Sequence, residues 1–261
     1  MSNGGRVQAK EAFIGDGTTA TGTALVSGAG STFDCSEELH VGYLGTGSLT
    51  VDAGGAVHAT NSLDVGVVGT LTGDGNVAAA VVSNAGRVAP GSPVGVLTIS
   101  GAYTQGPAGV LALDLGGATP GAGYDQLAVS GPATVDGALH VSLAGGFHPG
   151  LGQTFTVLTA GSVSGAFASV ATTSSSLCVS VFYNAQSVVV QITHTPPYTG
   201  DLNCDGVVNF ADINPFIVAL SGQVGYEAAF PHCNWLNGDT NGDGVVNFAD
   251  INPFIALLSG T

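Results

Sequence analysis

One stretch near the C-terminal end of the chain is written twice. Residues 200–222 read GDLNCDGVVNFADINPFIVALSG, and residues 238–260 read GDTNGDGVVNFADINPFIALLSG. The two copies are offset by 38 residues and differ at four positions. Each keeps the spacing D-x-N-x-D-G-x-x-N-x-x-D and then runs into an apolar stretch. Any fold for this chain must therefore contain the same local structure twice.

The spacing of the oxygen-bearing side chains suits a hard divalent cation. A Ca²⁺ ion takes roughly six to eight oxygen ligands, and a twelve-residue loop supplies them from positions 1, 3, 5, 7, 9 and 12, with glycine at position 6. The alternative is a pair of polar Asx and glycine turns without a metal. The ligands predicted for two Ca²⁺ ions are Asp201, Asn203, Asp205, the Val207 carbonyl, Asn209 and Asp212 in the first copy, and Asp239, Asn241, Asp243, the Val245 carbonyl, Asn247 and Asp250 in the second, with Gly206 and Gly244 at the turns.

The repeat differs from an EF-hand at both ends. Position 12 is Asp, where the EF-hand has Glu, and prolines rather than a helix precede the first loop. A calcium loop followed by one helix, twice within residues 199–261, resembles the dockerin module of bacterial extracellular proteins. The resemblance implies two bound Ca²⁺ ions and docking to a cohesin-like partner. That family recognises its partner through helix residues just past position 9, which makes the partner-binding candidates here Phe210, Ala211, Phe248 and Ala249.

The apolar residues that follow each loop recur near helical spacing, so each copy is expected to contribute one helix to a shared core. A unit this small has little core and needs staples such as metal or a disulfide. Cys204 stands where the second copy has Gly242, and Cys233, between the copies, is the candidate for a disulfide partner. The alternative is a free buried thiol. The expected core residues are Phe210, Ile213, Phe216, Ile217 and Leu220 in the first copy, and Phe248, Ile251, Phe254, Ile255 and Leu258 in the second.

The charge of the chain excludes two classes of partner. The formal net charge is −15, and the only Lys and Arg residues are Arg6, Lys10 and Arg87. Nucleic acid and anionic lipid surfaces both require clustered basic residues, so neither is an expected partner. No apolar run is long enough to cross a membrane, so membrane insertion is not expected.

Three features favour a secreted or cell-surface location. The chain is acidic, contains 4 cysteines and carries two calcium-type loops. Disulfides persist in oxidising compartments, and weak calcium sites fill outside the cell. The first residues, MSNGGRVQAK, lack the apolar segment of a signal peptide. We therefore expect the export signal to lie outside this sequence.

Residues 12–195 consist of short strand-like bursts separated by glycine turns. The chain has 42 Gly residues, a density that disfavours long helices. Residues 39–42, LHVG, recur 24 positions later as LDVG, and residues 13–15, FIG, look like an earlier copy. Repeats of this length, built from short strands and small residues, predict a parallel β-solenoid whose rungs stack on one another.

Past residue 85 the repeat gives way to longer motifs. These are APGSP at 89–93, the Y-D-x-L-x-V-x-G run at 124–131, and F-x-V-L at 155–158. The pattern resembles the C-terminal solenoid segment of autotransporter-like passenger proteins and of large bacterial surface proteins. This resemblance covers roughly residues 12–193. It implies a right-handed β-helix with a surface, adhesive or structural role.

These observations predict a mainly β chain with two domains. Residues 1–194 form a right-handed parallel β-helix, or β-solenoid, with regular rungs over 12–83 and a C-terminal solenoid segment over 84–194. Residues 195–200 form a Pro-rich linker. Residues 201–261 form a small α-helical dockerin-like domain with two EF-hand-like calcium loops.

Two other groups of reactive residues show no clear pattern. His40 and His58 could lie on neighbouring rungs and form a metal pair, but no ligand spacing supports one, and solvent-facing strand positions are the simpler interpretation. Cys35 and Cys178 are too far apart in sequence to pair within a locally stacked solenoid. Each is either a small buried apolar residue or a link between subunits.

Two functions follow from the sequence. The favoured hypothesis is a non-enzymatic extracellular structural or adhesive protein, whose calcium-loaded module docks to a cohesin-like domain or to a neighbouring copy of the chain, giving an oligomer or filament. The alternative is a cohesin-recruited carbohydrate-active β-helix, a polysaccharide lyase or hydrolase. Such enzymes need clustered carboxylates with basic residues, whereas the acids of residues 12–194 are scattered and nearly all of the chain lacks Lys or Arg. We therefore expect no catalytic residues.

Overall fold

The computed structural model describes residues 2, 4–173, 177–194, 198–205, 207–231 and 233–259. The chain is mainly β, with parallel sheets and a few short helices near the C-terminal end. Half of the predicted linker, residues 195–197, and the predicted turn residue Gly206 lie outside the described residues. The chain divides into two compact units, the first made of Met1–Gly145, Phe155–Thr173 and Val181–Val190, the second of Gly146–Thr154, Ser174–Ser180 and Gln191–Thr261.

Short strands fill most of the first unit. Each is bounded by glycine or polar turns, as the alternating bursts in the sequence predict. The strands of the described residues are β1 (Arg6–Ala9), β2 (Ala12–Ile14), β3 (Thr21–Ser27), β4 (Thr32–Cys35), β5 (Glu38–Val41), β6 (Thr46–Asp52), β7 (Ala56–Val65), β8 (Gly69–Gly73), β9 (Asn76–Asn84), β10 (Arg87–Pro90), β11 (Val96–Gln105), β12 (Val110–Leu115), β13 (Gln126–Val129), β14 (Pro132–Val135), β15 (Ala138–Leu143), β16 (Thr154–Thr159), β17 (Ser162–Gly165), β18 (Ser169–Thr172), β19 (Cys178–Tyr183) and β20 (Ser187–His194).

The strands form two sheets, between which the chain passes back and forth. The smaller sheet has the order β18-β15-β12-β10-β8-β6-β3. The larger follows the path β1-β4-β7-β9-β11-β13-β16-β20-β19, with β2, β5, β14 and β17 paired beside it. From β6 to β13 every strand belongs to the sheet that its predecessor does not. The pairs β5–β7, β6–β8 and β7–β9 are parallel, because the chain crosses to the other sheet and comes back in the same direction each time.

The core of the first unit is a set of aliphatic columns. In the smaller sheet Leu49, Leu71, Val88, Leu111 and Leu139 pair in register on successive strands, and all are fully buried. Each residue therefore packs on the same kind of residue one strand away, and apolar burial stabilises the stack at about 25 cal/mol per Å².

The sequence repeat predicts the pairing of the early strands. The LHVG and LDVG copies lie on β5 and β7, with Leu39 opposite Leu63 and Val41 opposite Val65. The FIG copy places Ile14 of β2 opposite Val41. Close approach at the turns explains the glycine content, because a Cβ added to Gly47 would collide with the backbone of Gly42.

A network of buried polar side chains lies on β9 and β11 of the larger sheet. The Tyr103 hydroxyl donates to Gln105 Oε1 at 2.8 Å and accepts from Asn84 Nδ2 at 3.1 Å. Gln105 Nε2 donates to the carbonyls of Asp136 and Ala138 at 2.7 and 3.0 Å. The buried side-chain amides therefore have hydrogen-bond partners of their own, as buried polar groups require.

The helices follow in the second unit. None in the described part of the chain is long and apolar enough to cross a membrane. The α-helices are α1 (Ile213–Leu220), α2 (Gln223–Ala229) and α3 (Ile251–Ser259), and the 3₁₀ helices are Phe210–Asp212, Trp235–Gly238 and Phe248–Asp250.

Candidate metal-binding site

The two copies of the repeat have the same local structure. Each loop leads into a 3₁₀ turn, Phe210–Asp212 or Phe248–Asp250, and then directly into α1 or α3. Asn at loop position 9 caps the turn, with Asn209 Oδ1 and Asn247 Oδ1 each accepting a backbone N–H at 2.7 Å. The same sequence therefore forms the same capped start of a helix twice.

The aspartate at position 12 links the two ends of each loop by hydrogen bonds. Asp212 is fully buried, and its Oδ1 accepts the N–H groups of Leu202 and Asn203 at 2.8 and 3.0 Å. Its Oδ2 accepts from Asn209 N at 2.9 Å. Asp250, also fully buried, accepts from the equivalent three N–H groups of the second copy at 2.8–3.0 Å. Both carboxylates are thus fixed by the start and the end of their own loop.

The groups at positions 3, 5, 7 and 9 lie next to one another along each loop. In the first copy, Asn203 Nδ2 donates to Asp205 Oδ2 at 2.9 Å, and Asn209 Nδ2 donates to the Val207 carbonyl at 3.2 Å. In the second copy, Asn241 and Asp243 repeat the first contact at 3.0 Å. Asn247 repeats the second contact on the Val245 carbonyl at 3.5 Å.

Position 1 differs between the copies. Asp239 of the second loop accepts the backbone N–H groups of Gly242, Asp243 and Gly244 at 2.8–3.0 Å. Asp201 of the first loop is buried, and its Oδ2 lies 3.6 Å from His148 Nδ1. The predicted turn residue Gly244 has φ of 85°, in the left-handed region that favours glycine.

Cys204 and Cys233 form a disulfide, with their Cα atoms 5.8 Å apart. Cys204 has φ of 59°, and its counterpart in the second copy, Gly242, has φ of 76°. The backbone at loop position 4 is therefore left-handed in both copies, and the first copy places a cysteine where glycine is the easier residue. The other two cysteines are free, Cys35 buried and Cys178 exposed.

The prediction of the core of the repeat is wrong for five of its ten residues, which are exposed. Phe216 and Phe254 are buried, but Phe210 and Phe248 are 76% and 78% exposed. Helical spacing does not reveal which side of a short helix is covered. The other expected core residues that are exposed are Ile213, Ile217 and Ile255.

The segment between the copies supplies core residues that the periodicity misses. Tyr226 of α2 is fully buried, and its hydroxyl donates to the Leu202 carbonyl at 2.7 Å. Burial raises the pKa of Tyr226, and the carboxylates of Asp201 and Asp212 raise it further, so the phenol remains a donor. Trp235 Nε1 donates to the Ala219 carbonyl at 3.0 Å.

The partner-binding candidates lie at the surface. Phe210, Ala211, Phe248 and Ala249 are all exposed. Val207 and Val245, at loop position 7, are exposed as well. The two copies therefore present the same apolar residues at equivalent positions.

A further group of possible metal ligands lies in the first unit. Among the described residues, Glu11, Glu38 and His40 are the one set of His, Cys, Asp or Glu side chains whose ligand atoms all lie within 4.8 Å of one another. In the two loops, Asp212, Asp239 and Asp250 have carboxylate oxygens that accept backbone N–H groups instead. The alternative of a His40–His58 metal pair does not occur, because His40 lies opposite Asp64 and His58 lies opposite Asp34.

Comparison with known proteins adds no assignment: no family model matches the chain, and no curated protein matches it.

Proposed function

We propose that this chain is a non-enzymatic extracellular structural protein, in which a right-handed β-helix carries a calcium-loaded docking module. The observation that carries the proposal is the close similarity of the two loops in sequence and in hydrogen bonding. A spacing typical of calcium loops folds twice into the same arrangement, each time around a buried aspartate, Asp212 or Asp250.

Electrostatics supports a cation in each loop. Each loop contains three Asp residues, and the chain has no Lys or Arg after Arg87. Asp201, Asp212 and Asp250 are buried, and buried carboxylates require compensation from hydrogen bonds, paired charges or metal. A Ca²⁺ ion would bring two positive charges, and the oxygens at loop positions 1, 3, 5, 7, 9 and 12 would coordinate it together. The amides of Asn203 and Asn209 and their second-copy counterparts would add neutral oxygens.

The order of the strands in the two sheets supports a β-helix. A chain that visits two parallel sheets alternately, with strand positions advancing by one neighbour at each visit, is typical of a solenoid. The right-handed sense comes from the general preference of parallel crossover connections and from the resemblance to passenger proteins.

Two surfaces are suited to assembly. The first is formed by the exposed apolar residues that the two copies of the module share, which would bind a cohesin-like domain or a neighbouring copy: Val207, Phe210, Val245 and Phe248. The second is the edge of the larger sheet at β1, which ends the strand order of the described residues, with Phe13 of β2 also exposed. An edge strand can accept a further strand, so stacking there would extend the chain into a filament.

The disulfide between Cys204 and Cys233 supports a location outside the reducing cytosol. The acidity of the chain supports the same location, since it favours divalent cations and disfavours nucleic acid.

Chelation tests the proposal. Light scattering should record the size of the assembled chain in Ca²⁺, then in EDTA, then after Ca²⁺ is restored. We expect EDTA to dissociate the assembly and Ca²⁺ to restore it, because metal binding is coupled to folding of the module. The variant Phe210→Ser with Phe248→Ser should bind Ca²⁺ and yet fail to dock through the module. An assembly unchanged by EDTA would contradict the docking role, and turnover of pectin or alginate would favour the enzymatic alternative.

A further inference from the structure

A cluster of histidine and carboxylate side chains lies on β5 and β7 and at the residue before β2, far in sequence from the calcium-type loops. Ala12 of β2 pairs with Leu39 of β5, which places Glu11 beside Glu38. His40 of β5 lies between Phe13 of β2 and Asp64 of β7. The strand register, rather than the local sequence, brings these groups together.

The distances at His40 match those between ligands of one metal ion. Its Nε2 lies 3.4 Å from Glu11 Oε1 and 3.3 Å from Glu38 Oε2. Two ligands of a tetrahedral zinc ion, each at 2.0–2.1 Å from the metal, lie about 3.3 Å from one another. Both distances from His40 Nε2 thus match the separation of two ligands in one tetrahedral site.

Two aromatic rings and a carboxylate contact the His40 imidazole and fix its position. The Phe13 ring stacks on it with centroids 4.8 Å apart at 18°, and the Tyr43 ring lies 5.3 Å away. Asp64 Oδ2 lies 3.4 Å from His40 Nδ1 and accepts a hydrogen bond from Ser62 Oγ at 2.7 Å. A carboxylate behind the non-coordinating nitrogen is the usual partner of a metal-bound histidine, where it fixes the tautomer and the ring orientation.

The charges around His40 are unbalanced without a cation. Glu11 and Glu38 are neighbours on adjacent strands, an arrangement that like charges disfavour. The ion pairs that the structure gives for both carboxylates go to His40. Three carboxylates therefore face a single imidazole, which can offer at most one positive charge.

A nearby histidine shows how an ordinary ion pair looks in the same sheet. His58 Nδ1 lies 2.6 Å from Asp34 Oδ1, and Arg6 Nε lies 2.6 Å from Asp34 Oδ2. One carboxylate there has two nitrogen partners at short hydrogen-bond distance. The contacts of His40 are longer and more numerous, so they are not explained by the same kind of pair.

We propose that His40 Nε2 and the carboxylates of Glu11 and Glu38 form a transition-metal site, with Zn²⁺ as the best-fitting ion. One imidazole and two carboxylates give three protein ligands, and water completes the fourth position. Both glutamate side chains are partly exposed, at 42% and 43%, which leaves a path for the ion from solvent. The ion cross-links β2 to β5 and so stabilises the N-terminal edge of the larger sheet.

The test is a calorimetric titration of the full chain with Zn²⁺ in excess Ca²⁺, so that the calcium-type loops do not compete for zinc. The wild-type chain should bind one zinc ion that His40→Gln and Glu38→Gln lose or bind at least about tenfold more weakly. His58→Gln is the matched control and should bind zinc as the wild type does. Cobalt substitution adds a second readout, since tetrahedral Co²⁺ absorbs strongly in the visible and His40→Gln should abolish that absorption.

Two results would overturn this site. One is a wild-type chain that takes up no zinc. The other is a His40→Gln variant that keeps the stoichiometry and affinity of the wild type, which would assign the zinc to other residues. Zinc binding by each variant is compared with that of the wild type in the same buffer. The result therefore does not depend on whether the C-terminal loops bind Ca²⁺.

Discussion

Phe216 and Phe254 stack on one another with ring centroids 4.1 Å apart and an interplanar angle of 24°. They occupy the same position in the two copies of the repeat, on α1 and α3. The contact joins the copies at their centre, because both rings are buried. The two loops are therefore expected to depend on each other through this pair, although they share no ligand.

Replacing one of these rings should destabilise the whole module. Phe254→Ala removes a buried ring, and such changes cost about 3–5 kcal/mol. Phe248→Ala, six residues earlier and exposed, should change the unfolding free energy by less than about 0.5 kcal/mol. Trp235 is the chain's single tryptophan and lies in the module, so its fluorescence reports the urea unfolding of each variant. Equal destabilisation by the two changes would show that the stacked pair is not central.

Each position-12 aspartate should control one calcium ion. Asp250→Asn keeps the size of the side chain but loses the charge and one of the acceptors that now hold three N–H groups. We expect calorimetry to find one bound Ca²⁺ in Asp250→Asn and one in Asp212→Asn. The exposed Asp16→Asn is the control and should leave two. A variant that retains both ions would remove position 12 from the ligand set.

The disulfide and the backbone at Cys204 should have separable effects. Cys204→Ala and Cys204→Gly both lose the bond to Cys233, which typically costs about 2–4 kcal/mol. Glycine suits the left-handed backbone at this position, where φ is 59°, so Cys204→Gly should be more stable than Cys204→Ala by about 1 kcal/mol. Urea unfolding followed by Trp235 fluorescence measures both. A glycine variant less stable than the alanine variant would refute the conformational argument.

The buried carboxyl of Asp125 should make the first unit less stable as pH rises. Its oxygens accept the N–H groups of Gly95 and Asp114 at 2.8 Å, but burial dominates and raises the pKa to about 7. The folded state then holds a proton that an unfolded aspartate, with a pKa of about 3.9, releases. This contribution is complete below the unfolded pKa and is lost as pH rises through the folded pKa.

The measurement is the unfolding free energy by far-ultraviolet circular dichroism, for the wild type and for Asp125→Asn, from pH 4 to pH 8. The wild type should lose stability relative to the variant between about pH 4 and pH 7 and then level off. A difference that does not change with pH would mean that Asp125 is ionised throughout.

The sequence predicts those features that repetition encodes. The duplicated loop aligns Asp212 with Asp250, and the LHVG and LDVG copies give the Leu39–Leu63 register. It does not predict that Phe210 is exposed, because an eight-residue helix such as α1 can be covered on either side by segments that follow later. Tyr226, which lies between the copies, supplies that cover, and nothing in its local sequence indicates burial.

Contacts between distant strands are the other part that the sequence leaves open. Glu11 and Glu38 are 27 positions apart, and their proximity depends on the pairing of β2 with β5. The buried network of Asn84 and Gln105 likewise follows from strand register, since polar residues in a strand are ordinarily expected to face solvent. Histidine or amide residues on neighbouring strands become recognisable sites only once that register is known.

The most direct test of the account is a calcium titration of the metal-free chain by calorimetry, paired with thermal unfolding followed by Trp235 fluorescence. The account predicts uptake of two Ca²⁺ ions and a higher melting temperature of the module in Ca²⁺ than in EDTA, since binding to the folded state stabilises it. No calcium uptake, together with identical melting in Ca²⁺ and in EDTA, would contradict it.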